Sequence, residues 1–228
     1  MNDMAMSLPV GSTSMGHHAS LPDTHLVGRH SAGAMCCKRV IDFVFAATML
    51  ILLLPLLVLI ALAVKLGSRG PVLFLQRRTG RGHRPFVVAK FRTMTVQENG
   101  DAVRQATVDD ARVTRVGRVL RRTSLDELPQ LFNVLTGSMS LVGPRPHALA
   151  HDQFYGARIA NYGQRFTMRP GLTGLAQVSG LRGEIHELEC MERRVAADLD
   201  YIRGWSLRRD IRLLCRTLLV VGQDRKAY

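Results

Sequence analysis

From Phe43 to Val64 the chain reads FVFAATMLILLLPLLVLIALAV, 22 positions without a charge. A helix on a soluble domain keeps a polar face, and this segment has none. At about 1.5 Å of rise per residue, a straight helix of this length just crosses a hydrocarbon core of about 30 Å. A membrane element is therefore expected over 36–67. Pro55 stands near the middle of the run and removes a backbone donor, which predicts a kink there. Basic residues flank both ends, Lys38 and Arg39 before it and Lys65, Arg69, Arg77 and Arg78 after it. Such charge marks the cytoplasmic side of a membrane segment. A bent helix that dips in and returns to the same leaflet satisfies both flanks, whereas a straight span leaves one outside. The re-entrant form is the preferred expectation, and a span with a tolerated proline is the alternative.

The rest of the 228 residues fits one further domain, 68–228, with residues 1–35 read as a disordered tail rather than a secretory signal. Lys plus Arg is 31 against 18 Asp plus Glu, a net charge of +13, so an acidic partner is required: nucleic acid, an anionic bilayer or a phosphorylated substrate. Cys36, Cys37, Cys190 and Cys215 form no CxxC pair, which argues against a zinc ribbon and for a reducing compartment. Two strands are expected around Leu73 and Val87, with Gly80-Arg81-Gly82 as their hairpin, and a polar loop over 95–109. Helices are expected at 113–122, 126–135, 147–162, 184–203 and 207–222. In the last, Leu207, Ile211, Leu214, Leu218 and Val221 form an apolar stripe, which suits a helix in the headgroup zone or one packed on the core.

The densest chemical signal is Arg121-Arg122-Thr123-Ser124-Leu125-Asp126-Glu127-Leu128-Pro129-Gln130. Ser124 and Glu127 have capping-box spacing. Pro129 opposes that reading: with Ser124 as cap it would forfeit an intrahelical bond, and with Asp126 as cap it would not. A helix starting at Asp126 is preferred, which frees Glu127 from capping. A carboxylate among Arg121, Arg122 and Arg145 should stay ionised with a depressed pKa. An ionised Asp can attack phosphorus, and a neighbouring Glu is a hard oxygen donor of the kind Mg²⁺ takes. In Gly143-Pro144-Arg145-Pro146 two prolines hold an arginine ready for a phosphate. Lys90-Phe91-Arg92-Thr93-Met94 offers two more cations, and Arg169-Pro170-Gly171-Leu172-Thr173-Gly174 a close-approach loop. His147 and His151 read as surface residues. The P-loop and dinucleotide glycine patterns are absent, and no helix-turn-helix or aromatic-basic pattern supports nucleic acid as a partner.

Taken in order, these fragments resemble the bacterial sugar transferases, the monotopic phosphoglycosyl transferases that begin exopolysaccharide assembly. The resemblance runs from Lys38-Arg39-Val40-Ile41-Asp42-Phe43 through Pro55, the Lys90–Met94, Arg122–Gln130, Leu141–Pro146 and Arg169–Gly174 segments, to Tyr201-Ile202-Arg203-Gly204-Trp205-Ser206. It implies a membrane-associated α/β protein, with a re-entrant N-terminal helix and a small cytosolic domain carrying interfacial amphipathic helices. The implied location is the bacterial inner membrane, with the catalytic domain on its cytoplasmic face. The implied reaction moves a sugar 1-phosphate from a UDP-sugar to undecaprenyl phosphate and releases UMP. On that pattern Asp126 is the nucleophile and Glu127 the Mg²⁺ ligand. Arg145 holds a phosphate, with Arg122, Lys90 and Arg92 as helpers. Partners are the UDP-sugar, the polyprenyl phosphate and an anionic bilayer, with a homodimer left open. Larger members carry further membrane helices and a domain ahead of this core, and Gly174–Val178 lacks a Trp often found there. Leu181-Arg182-Gly183-Glu184 leans toward glucose, with galactose second.

Overall fold

The apolar run folds as two helices, α1 (Ala32–Leu52) and α2 (Leu54–Gly67), bent by 64° about Leu53. Proline chemistry accounts for the placement. Pro55 lacks a donor and its ring excludes the carbonyl four residues back, so the first helix stops upstream and Pro55 sits in the opening turn of the second. The break thus falls at Leu53 rather than at Pro55 itself. Among the described residues no single helix is long and apolar enough to cross a membrane. This computed structural model describes residues 30–95, 110–181, 183, 185 and 187–223, with side chains to residue 220. The tail up to 29, the polar stretch 96–109, and Arg182 and Glu184 of the sugar-leaning segment lie outside them.

α1 begins at Ala32, so its first turn lies inside the stretch read as tail. Lys38 and Arg39, expected as flanking charge, are anchors instead. Buried Lys38 pairs with Asp210 at 2.6 Å and donates to the Val142 carbonyl at 3.1 Å. Arg39 donates to the carbonyls of Val134 and Leu135, and buried Asp42 accepts the Leu141 amide at 3.1 Å. A buried cation without such partners would be strongly unfavourable. Beyond Asp42 the helices turn apolar side chains outward, among them Phe43, Val44, Ile51, Leu54, Leu59 and Leu66.

Both predicted strands form: β1 (Leu73–Thr79) pairs antiparallel with β2 (Pro85–Phe91), Leu73 opposite Phe91 and Thr79 opposite Pro85. The reversal is the expected glycine turn, with Gly82 at φ 65°. α3 (Arg115–Thr123) is capped by Thr114, whose hydroxyl accepts the Gly117 amide at 2.9 Å. Gly117 is packed so closely on Thr93 that a Cβ would fall 2.1 Å from its carbonyl oxygen. α4 (Gln130–Thr136) ends at Gly137 in the left-handed region, φ 86°. β3 (Ser140–Val142) pairs in parallel with β4 (Gly171–Thr173). Helices α5 (Leu149–Gly156), α6 (Leu175–Val178), α7 (Leu188–Arg203) and α8 (Leu207–Gln223) complete the chain. The result is a small mixed helix and sheet domain in which the strands among the described residues form two pairs, so the expected α/β class holds only in this coarse sense.

The core lies where α7, α4 and the two short sheets meet, around Met139, Val134, Val88, Met191, Tyr201 and Ile202. α8 enters it by Asp210 and Leu213, while Ile211, Leu218 and Leu219 remain outside. Two residues of the predicted apolar stripe therefore face away from the domain, and Asp210 takes the inward position because Lys38, the Tyr201 hydroxyl and the Trp205 indole all bond to it.

Candidate active site

Three segments far apart in sequence converge. The first is the end of β2, which presents Lys90. Asn133 of α4 accepts the Ala89 amide at 3.1 Å and donates to the Val87 carbonyl at 2.7 Å, so the strand edge beside Lys90 is fixed by an amide side chain. The second is the turn after α3. Ser124 ends that helix in the left-handed region, φ 58°, so the capping box does not form. Leu125–Glu127 make a single 3₁₀ turn and regular helix starts at Gln130, not at Asp126 as predicted. Pro129 lacks a donor and stands just before the first turn of α4, where none is needed. Both carboxylates are therefore carried on a tight turn and spend nothing on capping. The third segment is the proline-held turn that carries Arg145.

Glu127 is the hub. Its Oε1 accepts from Lys90 Nζ at 2.7 Å and from Arg145 Nη2 at 2.5 Å, and its Oε2 accepts from Arg145 Nη1 at 3.2 Å. Burial alone would raise its pKa, but the charges and hydrogen bonds of Arg145 and Lys90 outweigh it and hold the carboxyl well below the usual range. Asp126 receives the opposite treatment. Burial and the neighbouring Glu127 charge push it up to about 6, against the pull of Lys90, Arg121 and Arg145. The expected depression is found at Glu127 and not at Asp126, where burial and the Glu127 charge outweigh the nearby cations. Lys90 is lowered by burial, and Arg145 is raised by Glu127.

A second layer holds Arg145 in place. Arg165 donates from Nη2 to the Arg145 carbonyl at 2.6 Å, from Nη1 to the Tyr162 hydroxyl at 3.0 Å and from Nε to Asp198 at 2.9 Å. Tyr162 donates to Asp152 at 2.7 Å, and its hydroxyl lies 2.9 Å from His147 Nδ1. His147 is therefore a partly buried member of this network, not the surface residue expected, and burial with Arg165, Arg78 and Arg145 nearby lowers its pKa well below the usual value. No local spacing connects positions 145, 165 and 198, so sequence reasoning missed Arg165, Tyr162 and Asp198.

Two expected phosphate ligands are not brought here. Arg92 is buried under α2, donating to the carbonyls of Val64, Ser68 and Arg69 and to the Ser68 hydroxyl. Those are the orphan acceptors of a helix end, and the arginine serves as their cap. Arg122 is exposed in the last turn of α3, and its charge is not among those acting most strongly on Asp126 or Glu127. Lys90 and Arg145 are brought to the turn that carries Asp126 and Glu127, where both bond to Glu127.

Glu127 and Asp126 are the hard oxygen donors at this site that could hold a divalent cation. Arg145 and Lys90 favour the ionised form of Glu127, and no cluster of three or more His, Cys, Asp or Glu occurs among the described residues.

The family model for bacterial sugar transferases matches residues 33–224, which takes in every element that builds this site. The chain belongs to the bacterial sugar transferase family. Membership makes it an enzyme of sugar transfer, as the motif resemblance implied. A UDP-glucose:undecaprenyl-phosphate glucose-1-phosphate transferase of Caulobacter vibrioides is 59% identical over 191 residues, covering 84% of this chain and 72% of the relative. A protein of the same name from Klebsiella pneumoniae is 52% identical over 194 residues, or 85% of this chain, yet only 42% of that longer protein. An exopolysaccharide production protein of Rhizobium leguminosarum is 44% identical over 186 residues, 80% of this chain and 93% of the relative. Against some relatives, then, this sugar transferase spans less than half the length, while against others it is nearly coextensive.

Proposed function

We propose that this sugar transferase moves glucose 1-phosphate from UDP-glucose to undecaprenyl phosphate as a membrane step of exopolysaccharide assembly. The names of its relatives supply the substrates. The observation that carries the mechanism is the division of labour within the acidic pair. Glu127 is saturated by cations, while Asp126, with a pKa near 6, is mostly ionised at neutral pH and more basic than an ordinary carboxylate. An Asp126 oxygen attacks the β-phosphorus, the bond from phosphorus to the UMP oxygen breaks, and UMP leaves with the electron pair. The lipid phosphate oxygen then attacks the same phosphorus and expels Asp126 as a free carboxylate. Lys90 and Arg145, already aimed into the site, exchange Glu127 for the phosphate oxygens as charge develops. Glu127 is the residue that would hold Mg²⁺, and a bound Mg²⁺ would supply further neutralisation of that charge.

The membrane reading rests on the tethering of the bent pair. α1 is fastened to the domain through Lys38, Arg39 and Asp42, and the end of α2 through Arg92. Both ends of the apolar hairpin are thus bound to one body, which favours re-entry from one side, with the domain on the cytoplasmic face. The exposed Ile211, Leu218 and Leu219 of α8, among Arg208, Arg212 and Arg216, suit the headgroup zone.

The test is UMP release and intact-mass analysis of the chain in lipid nanodiscs with UDP-glucose and undecaprenyl phosphate. A phosphosugar adduct is expected on the parent, with UMP release at least ~1000-fold lower for Asp126→Asn, of the order seen when a nucleophile is removed. Retained turnover in that variant sinks the mechanism.

A further inference from the structure

Helix α3 carries charge that the reaction as drawn does not use. Its sequence, RVGRVLRRT, holds Arg115, Arg118, Arg121 and Arg122 and no acid. Arg115, Arg118 and Arg122 recur at helical spacing on one face with Val119 among them, and all four residues are exposed. Among the described residues the guanidinium groups of these three have no hydrogen-bond or ion-pair partner. Such a row works against the helix. Cations three and four residues apart repel one another, and Arg115 stands in the first turn, where the helix dipole disfavours positive charge. The Thr114 cap and the burial of Gly117 and Leu120 hold α3 in spite of it. A surface row that opposes its own helix and meets no partner in the domain suits an anion from outside.

The position of α3 selects the anion. Val116, next to Arg115 in the chain, packs on the end of α2, where a Cβ on Gly67 would lie 3.0 Å from Val116 Cγ2. Leu66 and Lys65, just before Gly67, are exposed. α2 is the returning arm of the apolar pair, so in the proposed re-entrant reading its last turn lies where hydrocarbon gives way to headgroups. Gly117 is turned to the domain, against Thr93, and the arginine row lies on the far side of the helix. Guanidinium groups at that level meet lipid phosphates, which accept paired hydrogen bonds from them. α3 is also coupled to the acidic turn: the Ser124 amide donates to the Arg121 carbonyl and the Glu127 amide to the Ser124 carbonyl, both at 3.2 Å.

We infer that the face of α3 formed by Arg115, Arg118 and Arg122 is a docking surface for the phosphates of anionic phospholipids, and that this contact sets the height of Asp126 at the headgroup level. The inference rests on the proposed membrane reading and adds a polar contact, beside the apolar pair, that carries the reacting turn.

The experiment uses the full chain in nanodiscs of phosphatidylcholine, alone or mixed with phosphatidylglycerol. Modification of Arg115 and Arg118 by phenylglyoxal, mapped by mass, should slow about fivefold in the mixed discs, and the slowing should fade at high salt. A fluorophore on a Val119→Cys thiol, in a chain whose native cysteines are replaced by serine, reports the contact locally. Brominated phosphatidylglycerol should quench it more than brominated phosphatidylcholine at the same mole fraction, and Arg115→Gln with Arg118→Gln should remove that excess. Unchanged modification rates, or equal quenching by the two lipids, overturn the inference. Loss of the excess on adding a trace of undecaprenyl phosphate overturns it too, since the row would then belong to the lipid substrate. The modification assay needs no substitution and decides alone if the labelled chain does not fold. UMP release by a parent whose arginines ignore phosphatidylglycerol refutes the headgroup surface alone. A parent protected by phosphatidylglycerol that never releases UMP refutes the transfer reaction alone.

Discussion

Asp126 and Glu127 are adjacent, chemically almost identical, and driven in opposite directions. The cause is geometric: Glu127 can be reached by Arg145 and Lys90 together, while Asp126 is left with burial and a charged neighbour. That the pair mattered was legible from Arg-Arg followed by Asp-Glu and from the conflict between Pro129 and the capping box. Which carboxylate would win the cations was not, because Arg145 and Lys90 come from other elements. Two outcomes follow at this scale. Adduct formation should fall as pH drops through about 6, where Asp126 takes up its proton, and rapid-quench assays across pH 5–8 would show it. Stability should move the other way. The folded state holds that proton more tightly than the unfolded chain, so this group's contribution is favourable below the unfolded value near 4 and is lost as pH rises through about 6. Asp126→Asn should therefore raise the melting temperature by a few degrees at pH 7.5 and by progressively less toward pH 4, while abolishing transfer. A variant no more stable than the parent at pH 7.5 would mean the carboxylate is not held against its solvation preference.

Helix ends consume several of the basic residues that made the composition look like a phosphate-binding surface. Arg39 caps α4, Arg92 caps α2, and Arg169 donates to the Gly137 carbonyl at 2.9 Å. The strands, the glycine hairpin and α3 could be read from alternation and punctuation, because those signals are local. The capping arginines could not, since each serves a carbonyl at least 23 residues away. Arg92→Gln separates the two roles. As a cap of buried carbonyls its loss should cost about 2–4 kcal/mol of stability, since several charge-assisted bonds go at once. KM for UDP-glucose, measured well below the melting temperature, should not change. A raised KM with unaltered stability would return Arg92 to the substrate.

The molecule as a whole is organised around the bent apolar pair, and its two anchor points argue its topology. Lys38 reaches Asp210 across 172 residues and Val142 across 104, so the motif Lys38-Arg39-Val40-Ile41-Asp42 reads in sequence as charge before a membrane helix, although its Lys38, Arg39 and Asp42 form the seam between α1 and the domain. Beyond the seam, α1 has ten residues left and α2 has fourteen. At about 1.5 Å each, these arms reach roughly 15 and 21 Å, half to two thirds of a hydrocarbon core, before the chain comes back to Arg92. A span would have to tear one anchor from the domain, exposing either the Lys38–Asp210 pair or the Arg92 cap. The native Cys36 is exposed at the start of α1, and Leu66 is 85% exposed at the end of α2. A chain keeping Cys36 alone, and a second keeping only a Leu66→Cys thiol, should both react with an impermeant maleimide in inverted membrane vesicles and neither in intact spheroplasts. Labelling of the two positions from opposite sides would replace the proposed re-entry with a true crossing, and would require the Lys38 or Arg92 anchor to open in the bilayer.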